Sequence, residues 1–187
     1  MGNRGGALHN RDREIVRQYA SRRWITCLLE FKGRWRSVMS PGRYTELFFL
    51  DEAVALAAGH RPCAECRRER FNAFKDAWNR SADPRGGNSL RADEIDAELH
   101  RARIGRRREK VSYQASLSSL PDGCFVQIEG SSYLIWGDKL LLWSPAGYLT
   151  ERDRLSDLTV TVLTPEPVVR CIRQGYEPEI HPSALAL

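Results

Sequence analysis

The chain has 187 residues, of which 42% are hydrophobic and 28% are charged, and its net charge is +5. These values are ordinary for a globular protein with one sizeable domain or two small ones. The sequence has no apolar run of the roughly 20 residues that a membrane-spanning helix needs, and residues 1–6 lack the apolar segment of a secretory signal. We therefore expect a cytoplasmic protein that has no membrane partner.

The N-terminal part predicts an irregular arm followed by short strands. Residues 1–12 are rich in glycine, asparagine and arginine, which is typical of an arm without regular structure. Aromatic and β-branched residues then predict strands in three places, over residues 24–31, 35–39 and 44–50.

A short helix with clear end signals is predicted after these strands. Asp51 is a favoured N-cap residue, and its side chain can accept a hydrogen bond from the first turn. Gly59 is a favoured terminator because glycine adopts the left-handed conformation in which many helices end. The two signals together predict a helix over residues 52–58.

Two longer helices are predicted next, from the spacing of their apolar residues. The first begins near Cys66, and the second covers residues 92–103. Their inward-facing residues recur at spacings of three and four and are Phe71, Phe74 and Trp78 in the first helix and Ile95 and Leu99 in the second.

After about residue 111 the chain changes to short apolar runs separated by turn residues. These runs cover residues 124–128, 132–136, 139–143 and 159–163. They predict a small antiparallel sheet or a partly closed barrel, with a short helix after Pro165. The expected fold class is α+β. A metal-binding and helical region over residues 1–110 would pack on a β-rich region over residues 111–187 as one compact unit.

Five cysteines are present, and two of them form a Cys-x-x-Cys motif. An odd and unevenly spaced set favours metal binding or burial over a disulfide framework. Cys63 and Cys66 follow Pro62 and precede a helix-favouring run, so both sulfurs can point into one tetrahedral site. The motif predicts half of a zinc site, and zinc is the expected cofactor.

Residues 44–70 resemble the metal-binding module of the Ada DNA-repair family, which recognises methylated phosphotriesters. The shared features are an aromatic strand, a short alanine-rich helix that ends in glycine, and the motif Arg-Pro-Cys-x-x-Cys. A weaker similarity extends back to Cys27. The resemblance implies a zinc site of four thiolates, in which Cys63 and Cys66 match the downstream pair. Cys27 matches the first upstream cysteine, which is the methyl acceptor in that family.

The fourth thiolate of that family is missing, because Phe31 stands four residues after Cys27. We therefore expect zinc to be held by Cys27, Cys63 and Cys66, with water or a histidine such as His60 as the fourth ligand. The other residues that could complete the site are His9, His100 and Glu30. The alternative is that the thiols are buried core residues without a metal.

Basic residues are concentrated in three blocks, of which residues 101–110 are the densest and residues 13–23 and 32–36 are the others. Arginine binds phosphate in a bidentate manner and stacks on bases. The blocks therefore predict a nucleic-acid partner, which the resemblance specifies as DNA, although RNA would meet the same charges. The candidate contacts are Arg61, Arg67, Arg68, Arg106, Arg107 and Arg108.

Asp96 and His100 lie four residues apart and share one face of the third predicted helix. A carboxylate and an imidazole in this arrangement act as acid and base or form a surface ion pair. With His9 from the N-terminal arm, they are the candidate catalytic residues. Together with the resemblance to a DNA-repair module, which implies damaged or modified DNA as the substrate, they predict a hydrolase, either a nuclease or a base-releasing enzyme. The alternative is a non-catalytic, zinc-dependent DNA-binding module.

Overall fold

The computed structural model describes residues 1–33, 37–82, 89–155 and 158–187. Within these ranges the chain is α+β, with four helices, a three-stranded sheet and a six-stranded antiparallel sheet. The predicted fold class is confirmed. Among the described residues, no helix combines the length and the apolar character that crossing a bilayer requires.

The small sheet consists of three two-residue strands, β1 (Gly2–Asn3), β2 (Ile25–Thr26) and β3 (Arg61–Pro62). The central strand, β2, pairs antiparallel with β1 and parallel with β3. The predicted strand over residues 24–31 is therefore much shorter than expected. After Thr26 the chain leaves the sheet, and the backbone N–H of Leu28 donates to the Cys66 sulfur at 3.4 Å instead of to another strand.

Of the other two strands expected in this region, the one over residues 44–50 is not formed, and the one over residues 35–39 is described only at residues 37–39. Residues 44–50 contribute one isolated bridge, between Leu47 and Gly2, within the described part of the chain. Residues 37–39 lie in an irregular turn. Residues 34–36, which include Arg34 and Arg36 of one basic block, lie outside the described residues.

The first helix, α1 (Glu52–Ala57), has the ends that its sequence predicted. The Asp51 carboxylate accepts a hydrogen bond from the Val54 N–H at 2.8 Å. Gly59 follows the helix with a φ of +80°. The same Asp51 carboxylate accepts from the hydroxyl of Tyr148 at 2.7 Å, so the cap also joins α1 to the large sheet.

The longer helices are α2 (Arg68–Ala82) and α3 (Ala92–Arg103), and both confirm the predicted apolar faces. Their inward-facing residues are all buried, with exposed fractions of 8%, 0% and 1% for Phe71, Phe74 and Trp78 and of 0% for Ile95 and Leu99. The spacing rule succeeds here because each helix buries a single stripe of side chains.

The large sheet contains β4 (Tyr113–Ser116), β5 (Phe125–Ile128), β6 (Ser131–Trp136), β7 (Lys139–Ser144), β8 (Gly147–Asp153) and β9 (Thr159–Val162), in the order β4-β9-β5-β6-β7-β8. The four predicted runs are strands, and β4 and β8 are additional. Glu129 and Gly130 connect β5 to β6 with φ values of 52° and 81°, which are typical of a tight hairpin turn. The predicted short helix after Pro165 is α4 (Glu166–Arg173).

One apolar cluster joins the helices to the large sheet. It contains Phe74, Trp78 and Leu99 from the helices together with Val126 and Val162 from the sheet. Both predicted regions of the chain therefore contribute side chains to the same core.

Candidate metal centre

Two cysteines are brought together by the pairing of adjacent parallel strands. Thr26 of β2 pairs with Pro62 of β3, and Cys27 and Cys63 are the residues that directly follow these two strands. The Cys63 N–H donates to the Thr26 carbonyl at 2.9 Å, which fixes this alignment. The strand register thus places the two thiols side by side across a separation of 36 residues.

The third thiol comes from the turn that leads into α2. The Arg67 N–H donates to the Cys63 carbonyl at 3.1 Å and closes this turn, so that Cys66 folds back toward Cys63. The ligand atoms of Cys27, Cys63 and Cys66 all lie within 4.8 Å of one another. Among the described residues these three form a group that could hold a metal ion.

Backbone donors surround the sulfur atoms and favour their charged form. The Glu65 N–H donates to the Cys63 sulfur, and the Leu28 N–H donates to the Cys66 sulfur, both at 3.4 Å. Hydrogen bonds to a charged group stabilise it relative to its neutral form. The turn therefore supplies part of the stabilisation that metal-binding thiolates need.

The three thiols also control one another's ionisation. A hydrogen bond from the Cys27 thiol lowers the pKa of Cys63 to about 5. The same hydrogen bond, reinforced by burial, raises the pKa of Cys27, and burial raises the pKa of Cys66. Without a metal, these effects favour ionisation of Cys63 over ionisation of Cys27 and Cys66. A bound cation would displace the remaining protons, since metals bind thiolates and not thiols.

The arginines next to the cluster have different environments. The Arg67 side chain is 10% exposed and bonds to Glu179 and, at 3.4 Å, to the fully buried Glu52 carboxylate. Arg70 bonds to the same Glu52 carboxylate at 2.5 Å. These contacts hold the first turn of α2 against α1. Arg68, by contrast, is exposed.

Arg61 is enclosed by the protein and paired with a candidate catalytic residue. Its guanidinium donates to both carboxylate oxygens of Asp96, at 2.8 Å and 2.7 Å, and the two residues are 3% and 4% exposed. A bidentate pair of this kind joins β3 to α3. In this arrangement Arg61 and Asp96 serve the architecture, and neither faces solvent.

His60 is not among the residues that converge on the sulfur cluster. It is fully buried between the rings of Trp24 and Phe49, at centroid distances of 5.3 Å and 4.7 Å. Both of its ring nitrogens are buried without a hydrogen-bond partner among the described residues. The ring is thus held in aromatic packing, although His60 lies only three residues before Cys63 in the sequence.

The two other histidines proposed for catalysis have separate partners. The Nδ1 atom of His9 lies 2.6 Å from the hydroxyl of Thr45. The centroids of the His100 and Tyr19 rings lie 5.0 Å apart in an edge-to-face arrangement, and Nδ1 of His100 lies 3.3 Å from an Arg103 nitrogen. His9, Asp96 and His100 thus each engage a different group. The basic residues Arg106, Arg107 and Arg108 are exposed beyond the end of α3.

A hollow of about 430 Å³ opens beside the thiols, and all three cysteines line it. Its lining is mostly apolar but also includes the carboxylates of Glu46 and Glu65, and Leu29 and Phe48 are 71% and 62% exposed there. Sequence reasoning did not single out these residues, because the segments 24–31 and 44–50 that contain them were predicted to be strands. The arrangement offers three sulfur ligands with room for a further ligand beside them. Comparison of the chain with models of known protein families, with curated proteins and with solved structures finds no match.

Proposed function

We propose that the chain is a zinc-dependent DNA-binding protein that recognises damaged or modified DNA. The observation that carries this proposal is the cluster of Cys27, Cys63 and Cys66, whose sulfur atoms lie within 4.8 Å of one another. The resemblance of residues 44–70 to the Ada module supports DNA carrying a modification as the partner. The net charge of +5 favours a polyanion.

Zinc fits this set of donors. Thiolates bind zinc at about 2.3 Å, which in a tetrahedron separates the sulfur atoms by about 3.8 Å. Small side-chain adjustments bring a cluster within 4.8 Å to that spacing. Cys27, Cys63 and Cys66 would hold the ion, and the adjoining hollow has room for water as a fourth ligand. When bound, zinc would fasten three chain segments together and keep the thiols deprotonated.

The exposed arginines are the proposed contacts with the DNA backbone. Arg68 lies two residues from Cys66 and is exposed, as are Arg106, Arg107 and Arg108. Arg61 and Arg67 support the site indirectly, because their guanidinium groups bond to carboxylates of the protein. They position β3 and the start of α2, and Cys63 and Cys66 lie in the turn between these two elements.

DNA binding agrees with the geometry better than hydrolysis does. Hydrolysis by the residues suggested from sequence would require His9, Asp96 and His100 to converge on one substrate atom. Asp96 is bonded to Arg61, and His9 is bonded to Thr45. The non-catalytic alternative requires no such convergence, and we propose it over the hydrolase.

The zinc content of protein purified without added metal tests the first half of the proposal. We expect about one zinc per chain, and its loss in the Cys63→Ala variant. Cys171→Ala is the matched control, because Cys171 is fully buried in the main core and lies outside the cluster. Less than about half an equivalent of zinc in folded wild-type protein would contradict the proposal.

Fluorescence anisotropy with a short labelled duplex tests the second half. We expect affinity for DNA to fall steeply with salt, since each neutralised phosphate contributes about −0.9 to the logarithmic slope. Arg68→Ala is expected to weaken binding several-fold, whereas Lys139→Met, which removes a cation paired with Asp153, is not. A duplex with one methyl phosphotriester is expected to bind more tightly than the unmodified duplex. Equal affinities for the two duplexes would contradict recognition of modified DNA. The absence of any DNA binding at low salt would contradict the DNA-binding proposal as a whole.

A further inference from the structure

A second cleft lies between the small sheet and the large sheet, with a volume of about 390 Å³. Arg4 and Trp24 line it from the N-terminal part, and Ser132 and Trp143 line it from the large sheet. Pockets for small organic ligands have volumes of about 300 to 1,000 Å³. The cleft is therefore large enough for a small ligand and too small for a DNA duplex.

The described residues that line this cleft carry positive charge and no carboxylate. The cations are Arg4, Arg103, Arg108 and Lys110. Asp96 acts electrostatically on Arg103, but its carboxylate is bonded to Arg61. Burial lowers the pKa of Arg4 to about 10 and that of Arg103 to about 9, which reflects charge removed from water without a counterion beside it. An anion in the cleft would balance this charge.

Three of the lining side chains have a buried N–H donor without a hydrogen-bond partner among the described residues. These donors are Nε of Arg4, Nε of Arg103 and Nε1 of Trp143. Buried donors of native proteins are nearly always satisfied by protein, water or a ligand. Their concentration around one cleft points to a ligand rich in acceptor atoms.

The arginines are held in place by an aromatic ring. The guanidinium carbons of Arg4 and Arg103 each lie 4.0 Å from the ring centroid of Trp24. Two nitrogens of Arg103 also donate to the carbonyls of Gly59 and Arg22, at 2.6 Å and 2.5 Å. Cations fixed in this way lose little freedom when an anion binds, so the cleft is preorganised.

The opposite wall of the cleft is apolar and includes an indole. Trp143 and Phe125 contribute aromatic surface, and Val54, Ile104 and Leu163 contribute aliphatic surface. Unpaired bases bind by stacking on aromatic side chains, while basic residues follow the attached phosphates. The cleft combines both kinds of surface at the scale of one nucleotide.

We propose that this cleft binds a single nucleotide of DNA that has been taken out of its base stack. Its phosphate would lie among Arg4, Arg108 and Lys110, and its base would lie against Trp143. This inference rests on the proposed DNA-binding function and specifies which part of the DNA is held. Trp24 precedes β2 and Cys27 follows it, so one residue of the cleft and one residue of the metal centre flank the same strand, with their Cα atoms about 10 Å apart at about 3.3 Å per residue.

Titration of the full-length, zinc-loaded protein with 2′-deoxyadenosine 5′-monophosphate tests the proposal by calorimetry. We expect this nucleotide to bind at least about tenfold more tightly than either 2′-deoxyadenosine or inorganic phosphate, because both halves of the cleft are used. No binding of the nucleotide to folded protein would overturn the proposal. Inorganic phosphate binding as tightly as the nucleotide would also overturn it, since the aromatic wall would then contribute nothing.

Substitutions locate the binding in the cleft. Lys110→Met is expected to weaken nucleotide binding at least about tenfold, and Trp143→Phe, which removes only the indole N–H donor, a few-fold. Lys139→Met is the matched control, and we expect it to leave binding unchanged. Equal effects of the two lysine substitutions would place the nucleotide elsewhere and overturn the proposal. Arg108→Ala repeats the test if Lys110→Met, which also removes a hydrogen bond of 2.6 Å to the Ala57 carbonyl, does not fold.

An experiment with DNA duplexes tests whether the cleft binds a nucleotide that is part of DNA or only a free nucleotide. A duplex with one unpaired adenosine is expected to bind more tightly than a fully paired duplex, and Lys110→Met is expected to remove this preference. Binding of the free nucleotide without such a preference would overturn the DNA assignment. If zinc and salt-dependent duplex binding persist while the nucleotide does not bind, only the cleft proposal fails. If the nucleotide binds but zinc is absent, only the metal proposal fails.

Discussion

His60 shows how a single residue can carry an energetic cost inside this fold. Its ring is fully buried beside Trp24, and neither ring nitrogen has a hydrogen-bond partner among the described residues. Burial, with the nearby charges of Arg4 and Arg103, lowers the pKa of His60 well below 6.5 and outweighs the opposite effect of the backbone at Ala55 and Ala58. The folded protein therefore holds a neutral imidazole under conditions in which the unfolded chain would bind a proton.

We expect the stability of the protein to fall as the pH drops below about 6.5. In that range the unfolded state gains a proton at His60 and the folded state does not, so unfolding becomes more favourable by up to about 1.4 kcal/mol per pH unit. Burial lowers the pKa of His100 as well, and it contributes in the same direction. Urea unfolding between about pH 7.5 and about pH 5 measures this slope.

The His60→Leu variant is the check on this assignment. It removes the titrating ring and is expected to lower the slope of the unfolding free energy against pH by up to about 1.4 kcal/mol per pH unit. A slope in the same direction remains, because the pKa of Cys63 is lowered to about 5 in the folded protein. His181→Ala, at a half-exposed histidine near the C-terminus, is expected to retain the full slope. An unchanged slope in folded His60→Leu protein would assign the pH dependence to other groups.

At the scale of elements, the end of α1 is locked to the end of α3 through a glycine. Gly59 has a φ of +80°, and a Cβ atom at this position would lie 2.5 Å from Cδ of Arg103. The Gly59 carbonyl also accepts a hydrogen bond from Arg103 at 2.6 Å. The two helices therefore approach each other closely at a point where only glycine fits.

We expect Gly59→Ala to destabilise the protein by about 2 to 4 kcal/mol, from the left-handed backbone and the overlap with Arg103 together. Gly130→Ala is the matched control, because its φ is +81° but nothing lies within 4 Å of the added carbon. The free energy of unfolding of this control is expected to fall by about 1 kcal/mol, because only the backbone conformation is strained. Free energies from urea unfolding compare the two variants, and equal losses would show that the contact with Arg103 relaxes without cost.

The helices could be predicted from sequence because their signals are local. Asp51 caps α1, Gly59 follows it, and the residues that face inward from α2 and α3 recur at helical spacing. Strand length was less predictable. Residues 24–31 are apolar enough for a long strand, but β2 ends at Thr26 where the chain turns toward the sulfur cluster.

Two strands of the large sheet were missed for different reasons. In β8 the sequence Gly147–Asp153 begins with buried residues but continues with exposed and charged ones, so it lacks the alternation of a half-buried strand. β4 is short and polar, and its pairing with β9 joins segments that lie far apart in sequence. Neither pattern differs from that of a loop until the partner strand is known.

The candidate sites show the same division between local and distant information. Cys63 and Cys66 form a local motif, and the resemblance to the Ada module identified Cys27 as a third candidate ligand. The partners of Arg61, His9 and His60 could not be read from sequence, because each is supplied by a distant segment. The second cleft was also missed, since its cations and its indole come from separate parts of the chain.

At the scale of the whole molecule, the apolar core crosses the expected boundary near residue 110. Phe74 and Leu99 share one cluster with Val126, Val160 and Val168. Tyr176 belongs to the same cluster, and the Glu52 carboxylate accepts hydrogen bonds from the Tyr176 hydroxyl at 2.9 Å and the Glu179 N–H at 3.0 Å. Both contacts join the first region to the C-terminal segment.

We therefore expect the protein to unfold in one cooperative transition. Because the two regions bury apolar surface against each other, neither retains a complete core alone. Calorimetry is expected to give equal calorimetric and van't Hoff enthalpies, and a fragment of residues 1–110 is expected to lack a cooperative transition. Two separate transitions in the intact protein would show that the regions are independent folding units.

The parallel pairing of β2 with β3 has a consequence for how the metal centre can tolerate change. The positions of Cys27 and Cys63 are set by the residues that pair across these strands. The number of residues between the two strands does not affect the distance between the two thiols. Lengthening a surface connection has a small thermodynamic effect, because the closure entropy grows only with the logarithm of its length. The segment over residues 28–50 can therefore gain or lose residues at its loops, and alter the rim of the hollow, while the geometry of the sulfur atoms is preserved.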